Sequence, residues 1–525
     1  MKRLPLYPFF LAAAPVLALW ADNARETEPA DLVRPLLMVL ALAGLVMLAT
    51  WPLVKQFRKA GPPAVCVLIF FLAFGPVVRL LPSIRMLYFL PAWTALWSGG
   101  YVFAVIRLRR TSRPLIRLTG MLNLLAVAVA LAPVAIQVPK WLDHGGPTHA
   151  TPATAPHSAT QAATQPAPAA DSLPDIYYLI LDGYSRQDML ASRFGLDNSP
   201  FIDALRQRGF FVGDRSHANY MHSHLSLAAT LNMEYLDEYL DELGPVEESK
   251  DGWYDAAGFF QPLIADCRVR RELEWRGYRT VGLGTAYNIT RGFNERAGWL
   301  SMGINEFEMV LLQQTVLAPI LEHLAPMDLT PHDMQRERIK YIFGQLPVIA
   351  RQKGSKFVFV HIVCPHRPFV FRADGRPQPR NDQFEDLRWW PEAIQTPGFL
   401  DWYRQYYPQQ IQGLNRLVLE AIDQILAASA RPPILIIQGD HGSSLGLRFD
   451  PAQCDVQDRL GILNAIYLPD GQTETIDPGL TSVNTFRLVL SRLFGMDLPP
   501  LKDHAYFSAM GTALTDVTDR VRRKD

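Results

Sequence analysis

Three separate apolar runs each end in a side chain that can hold a metal. Asp182 follows "YYLIL", His366 follows "FVFVHIVCP", and Asp440 with His441 follows "ILIIQG". An Asp-Gly pair after a strand is often only a turn. Carboxylate and imidazole delivered at equivalent ends of three strands, however, suit a divalent cation such as zinc or manganese. A cation of this kind needs a group to activate, and "HANYMHSHLSLAATLNMEYL", residues 217–236, supplies candidates. Helical spacing from Ser223 onward predicts this serine at the N-cap, at the positive helix end where an anionic phosphate would also settle. Metal coordination would turn its hydroxyl into a nucleophile near neutral pH. Ser223 could instead merely cap the helix, and Ser226 or Thr230 could be the reactive hydroxyl. His217, His222 and His224 crowd the segment and read as substrate or supporting contacts rather than ligands.

The runs that carry these groups are near-continuous in apolar residues: 176–182, 278–284, 356–363 and 433–440. Such runs are expected of parallel strands covered on both faces. Between them, 199–210, 334–352 and 406–429 have helical spacing. The alternation predicts an α/β domain with a mostly parallel central sheet, in which ligands bind at the carboxyl ends of the strands. Four cysteines are few; Cys66 falls in an apolar run, and Cys267 with Cys454 is the disulfide an exported domain would be expected to form.

Before residue 140 the chain is of another kind. Leu4–Ala21, Pro35–Val54, Pro63–Val78, Met86–Ile106 and Leu118–Pro139 carry no ionised side chain and approach the ~20 residues that span a bilayer. They predict an all-α domain of five transmembrane helices over 1–140. Ten basic residues (Lys2, Arg3, Lys55, Arg58, Lys59, Arg107, Arg109, Arg110, Arg113, Arg117) fall on one side and five (Arg25, Arg34, Arg79, Arg85, Lys140) on the other. The richer side is cytoplasmic by the positive-inside rule, so everything after the fifth crossing lies outside. A cleaved signal peptide at Leu4–Ala21 is the alternative for the first run. Residues 141–173 are rich in Ala, Thr and Pro and read as a tether to an outer domain at 174–525. The formal net charge of zero gives no field that would favour nucleic acid.

Taken in order, "LILDGYSR", "NYMHSHLSLAATLNMEYL", "HIVCPHRPF" and "IIQGDHGSSLG" resemble the motif series of the alkaline phosphatase and sulfatase superfamily. With the membrane runs, the whole chain resembles the membrane-anchored branch that includes lipoteichoic acid synthases and lipid A phosphoethanolamine transferases. The resemblance implies that Asp182, Ser223, Asp440 and His441 hold a catalytic zinc or manganese, with Ser223 the nucleophile. It also implies that His366 contacts substrate or a second metal, with His222 and His224 as further substrate contacts. It further implies a phospholipid donor, an envelope glycan or lipid acceptor, and a multi-pass protein of the bacterial cytoplasmic membrane with its catalytic domain on the periplasmic or extracellular side. Two departures stand out: Ser223 replaces the usual Thr, and Ser443 replaces the acid of the common "DHGE". The C/S-x-P-x-R frame of sulfatases is absent at both "CPHRP" and "SHLSL", which favours phosphorus chemistry. A phosphoesterase transferring to water and a non-catalytic lipid-binding member are the alternatives.

Overall fold

The computed structural model describes the chain except for residues 1–3, 24–26, 28, 82–85, 113–114, 144–172, 245–249, 284–288, 291–305, 325–329, 382, 386, 388, 510–512 and 523–525. Residues 144–172 of the expected tether therefore lie outside the described residues. Two compact units emerge: Met1–Pro147 with Ser301–Met334, and Thr148–Leu300 with Gln335–Asp525.

The first unit is helical. Val33–Val54, Tyr88–Arg110 and Ile116–Gln137 are long and apolar enough to cross a membrane, whereas Tyr7–Asp22 is a shorter apolar helix. The expected count of five spans is therefore not reproduced. The third apolar run divides into Phe57–Leu72 and Phe74–Leu80, because Pro76 has no N–H to bond back to Leu72. Phe57–Leu72, at 16 residues, is about 24 Å long, against a hydrocarbon core of roughly 30 Å. Its loose end is met by residues 314–316: Val316 N–H donates to Phe71 O at 3.1 Å, and Gly75 N–H donates to Gln314 O at 2.7 Å. A Cβ at position 75 would sit 2.6 Å from Gln314 Cα. Thus 306–324, expected in the outer domain, packs within the helical unit, and Phe307 and Leu311 share a core with Val16, Val39 and Leu68. Asn123 closes the start of the first helix, with Oδ1 accepting from Leu6 N–H and Tyr7 N–H at 2.9 Å each. The unit's exterior is apolar, with Leu45, Phe103 and Leu124 more than 60% exposed, a surface suited to lipid rather than water.

The second unit is an α/β domain. The strands of its central sheet are β1 (Ile176–Leu181), β2 (Phe211–Val212), β3 (Arg279–Gly282), β4 (Lys356–Ile362), β5 (Ile434–Gln438) and β6 (Asn464–Tyr467). They form one sheet in the order β2-β6-β5-β1-β4-β3. The β5-β1-β4-β3 run is parallel, and β6 and β2 are antiparallel additions at one edge. Side chains alternate between two cores. Tyr177, Leu179 and Leu181 pack with Ile339, Leu346, Tyr407 and Leu414. Ile176, Tyr178 and Ile180 pack on the other face with Leu225, Leu227, Phe260 and Phe486. The helix Ser223–Asn232 belongs to this second face. Cys267 and Cys454 are free and lie in different cores, so the expected disulfide is absent.

Candidate active site

The strand alternation determines which side chains meet. Ile180 pairs with His361 across β1 and β4, so His361 shares the face of Ile180 and Phe359, on which the Ser223 helix packs. Asp182 continues the even-numbered side of β1 one step past its end, and Asp440 continues that of β5. His361 Nε2 consequently lies 3.5 Å from Asp182 Oδ2. Oxygens and nitrogens of Asp182, His361 and Asp440 come within 4.8 Å of one another.

His441 completes the cluster. Its Nδ1 is 2.8 Å from Gly442 O; a carbonyl only accepts, so Nδ1 carries the proton and Nε2 presents a lone pair. Nε2 is 3.6 Å from both Asp182 Oδ1 and Asp440 Oδ2 and 3.3 Å from Ser223 Oγ. Asp440 Oδ1 is held by Gly183 N–H at 3.0 Å and His441 N–H at 2.9 Å. Asp182 Oδ1 and Asp440 Oδ2 are buried and accept no hydrogen bond. Two buried, unpartnered carboxylate oxygens facing an imidazole lone pair would be costly if left alone. They fit a bound divalent cation, and the mixed oxygen and nitrogen donors suit zinc or manganese.

Two glycines permit the close approach. Gly183 takes φ +75° just after Asp182, turning the chain so that its N–H reaches Asp440. Gly442 lies against the Asp458–Gly461 segment, donating to Arg459 O at 2.7 Å, and a Cβ there would collide with Asp458 O.

The electrostatics match a ligand set. Burial alone would raise the Asp182 carboxyl, but His366, His361 and His441 outweigh it and hold the group below the usual carboxylate range. Burial and the Arg459 charge push His441 down to about 4, against the pull of Asp440 and Asp182. Its imidazole is therefore neutral at pH 7.

Of the three candidate hydroxyls, Ser223 is the one placed against a cluster side chain, His441. Ser226 Oγ donates to Asp440 O at 2.6 Å, and Thr230 is buried two turns along the helix. Ser223 is the first helical residue rather than the cap, which is the extended His222, and its hydroxyl faces His441. His366 is partly exposed, with its N–H on Asp182 O at 2.9 Å and Nδ1 2.8 Å from Arg367 O. His222 is buried, its Nε2 shared between Ser508 O and Ala509 O at 3.2 and 2.7 Å. His224 stacks on it at 5.7 Å and meets Trp253 edge-on. Burial first, then the Arg459 charge, pushes His222 to about 3. His217 Nε2 is 2.9 Å from Asp503 Oδ1. Ser443 Oγ donates to Asp458 Oδ2 at 2.5 Å.

Sequence reasoning passed over His361. A lone imidazole in the otherwise apolar strand "KFVFVHI" was the available signal.

No family model matches the sequence, and no curated protein matches it. Solved structures do. The integral membrane lipooligosaccharide phosphoethanolamine transferase EptA from Neisseria meningitidis matches over 93% of this chain and 94% of its own, at 11% identity and a TM-score of 0.39. The periplasmic domain of EptC from Escherichia coli in complex with Zn matches over 67% and 94%, at 13% identity and 0.39. The phosphonate monoester hydrolase of Agrobacterium radiobacter matches over 64% and 80%, at 14% identity and 0.40.

Proposed function

We propose that this chain is a membrane-anchored, metal-dependent phosphotransferase that moves a phospho-group from a phospholipid to an envelope glycan or lipid through a phospho-Ser223 intermediate. One observation carries the reading: Ser223 Oγ stands 3.3 Å from His441 Nε2, beside two buried carboxylate oxygens that accept no hydrogen bond. Asp182, Asp440 and His441, with His361, would hold the cation together with the Ser223 oxygen. When bound, a zinc or manganese ion lowers the pKa of a coordinated hydroxyl and polarises a phosphoryl oxygen.

Ser223 Oγ attacks phosphorus of the lipid headgroup diester. The Ser223 hydroxyl gives up its proton as the P–Oγ bond forms, the bond to the diacylglycerol oxygen breaks, and that oxygen takes up a proton. An acceptor hydroxyl then attacks the same phosphorus and loses its proton, the P–Oγ bond breaks, and Oγ regains a proton. The free N–H groups at the start of the Ser223–Asn232 helix face the developing phosphoryl charge. His366, the partly exposed imidazole beside Asp182, contacts the phospho-group, while the buried His222 and His224 support the helix start. The apolar helices would anchor the chain in the bacterial cytoplasmic membrane with the α/β domain on its periplasmic side, a side supported by the basic-residue asymmetry of the five-crossing arrangement.

The test uses the full-length chain in detergent micelles with headgroup-labelled phosphatidylethanolamine or phosphatidylglycerol. A phospho-group should appear on Ser223 by peptide mass spectrometry, and the label should pass to an added glycan or lipid acceptor. Label released only as the free headgroup phosphate would make the protein a phosphoesterase, and an unmodified Ser223 with continuing turnover would overturn the covalent mechanism.

A further inference from the structure

We propose that Arg459 is a positioning residue whose buried guanidinium fixes the loop that carries Ser223 to the loop that carries His441. The inference rests on the phosphotransferase reading, because it assigns a role within that reaction.

Arg459 is 4% exposed. Its Nε donates to Met221 O at 2.8 Å, two residues before Ser223. Nη1 donates to Ser444 Oγ at 2.9 Å and reaches Gly442 O at 3.4 Å, just past His441. Gly442 O is also the carbonyl that fixes the His441 tautomer. One planar group thus spans the start of the nucleophile helix and the turn that aims Nε2 at Ser223 Oγ. The backbone around Arg459 extends the same linkage. Arg459 O accepts from Gly442 N–H at 2.7 Å, Leu460 O from Ala218 N–H at 2.8 Å, and Gly461 O from Arg186 N–H at 3.0 Å. All three catalytic loops therefore hang on one short segment, and its arginine side chain bridges two of them.

A fully buried cation is costly unless it is hydrogen-bonded and faces opposite charge. Burial opposes the Arg459 charge, while Asp440 and Asp182 favour it. Arginine is suited because its fork donates in two fixed directions from one rigid plane, which the ammonium of lysine cannot do. Without it the Ser223 and His441 loops keep their backbone bonds but lose the strut that sets the distance between Oγ and Nε2. A misplacement of about 1 Å at a reacting group can cost roughly a hundredfold in rate.

The test compares Arg459→Gln, Arg459→Lys, Arg459→Ala and Ser444→Ala in the full-length chain, again in micelles with labelled phosphatidylethanolamine. Rates of Ser223 phosphorylation are measured per folded, metal-loaded molecule, from zinc content and thermal melting. Arg459→Gln should lower kcat roughly a hundredfold with KM little changed. Arg459→Lys should recover only part of that loss, and Ser444→Ala should cost about tenfold or less, since the Met221 contact remains. Millimolar guanidinium should restore turnover to Arg459→Ala. Unchanged kcat in Arg459→Gln, or a loss that disappears once folded and metal-loaded molecules are counted, would overturn the inference. Failure of the parent reading shows elsewhere, as an unmodified Ser223 in the unsubstituted protein.

Discussion

Ser223 Oγ lies 3.3 Å from His441 Nε2 although the two residues are 218 positions apart in the chain. The distance follows from two independent constraints. The Ser223 helix is held on the sheet by Leu225, Leu227 and Ala228, and Gly442 O orients the imidazole. The first prediction concerns this pair. Ser223→Ala should lower turnover by at least about a thousandfold, as removal of a covalent nucleophile does, while zinc still binds through Asp182, Asp440 and His441. Ser223→Thr should stay measurably active, because the hydroxyl is kept. Ser226→Ala loses only its bond to Asp440 O, about 1 kcal/mol of stability. Steady-state rates and metal analysis of the three variants check this.

His361 sits between Asp182 and the second-face core, and its Nε2 is 3.5 Å from Asp182 Oδ2. His361→Ala should weaken zinc binding by roughly 10- to 100-fold, the range seen when groups supporting a metal site are removed. Asp440→Ala and His441→Ala should abolish binding. Competition with a fluorescent chelator gives the affinities, and wild-type zinc affinity in His361→Ala would exclude this imidazole from the ligand set.

A pH effect follows from Asp458. Burial is the main cause that pushes its carboxyl up to about 6, above an unfolded value near 4. The native state therefore binds this proton more tightly than the unfolded chain does. The associated stability is present below about pH 4 and is lost as pH rises through about 6. Asp458→Asn keeps an oxygen acceptor for Ser443 and Gly446 and removes the titration. Above pH 6 the variant should exceed the parent by up to about 3 kcal/mol, with the advantage shrinking toward pH 4. Thermal melts across pH 4–7.5 measure it; parallel curves for the two proteins would rule out Asp458 as the titrating group.

Gly442 is tested by size alone. A Cβ at this position meets Asp458 O and stands 2.8 Å from Gly461 O, both backbone atoms that cannot rotate away. Gly442→Ala should destabilise the α/β domain by about 2 kcal/mol or more and lower activity, because the same turn aims His441. Chemical denaturation of the full-length chain reports the first effect and turnover the second.

The sheet and much of the site were legible because parallel strands announce themselves as apolar runs, and the residues just past their ends are where ligands gather. Asp182, Asp440 and His441 are expected there on that ground, and the structure brings them together. His361 was hidden because it lies inside a strand, where a single polar residue breaks no pattern; only the register with Ile180 shows which face it serves. Arg459 was invisible for a different reason: its partners Met221 and Ser444 are distant in sequence and are contacted through a carbonyl and a hydroxyl. Among the described residues the expected five spans are not confirmed: Tyr7–Asp22 is a shorter apolar helix, and Pro76 interrupts the third run, where hydropathy does not register a missing N–H.

Residues 306–324, expected in the outer domain, fall with the helical unit. Phe307 is 7% exposed, Leu311 8% and Val316 fully buried, and their apolar neighbours are Val16, Leu68, Phe74 and Trp93 of the helical unit. Arg34 adds an ion pair to Glu308 at 3.2 Å. An isolated 174–525 chain would leave that apolar face without its partners, and exposed patches of this kind drive association. It should therefore elute as detergent-dependent or aggregated material on size-exclusion chromatography. Phe307→Ser with Leu311→Ser and Val316→Ser should make the isolated chain monodisperse without touching its zinc content, since Asp182, His361, Asp440 and His441 lie in the other unit. The same triple substitution in the full-length chain should lower the stability of the helical unit, since three buried apolar side chains are removed at about 1.5–3 kcal/mol each. A monodisperse, detergent-independent 174–525 chain with its native residues would show that 306–324 does not need the helical unit to cover it.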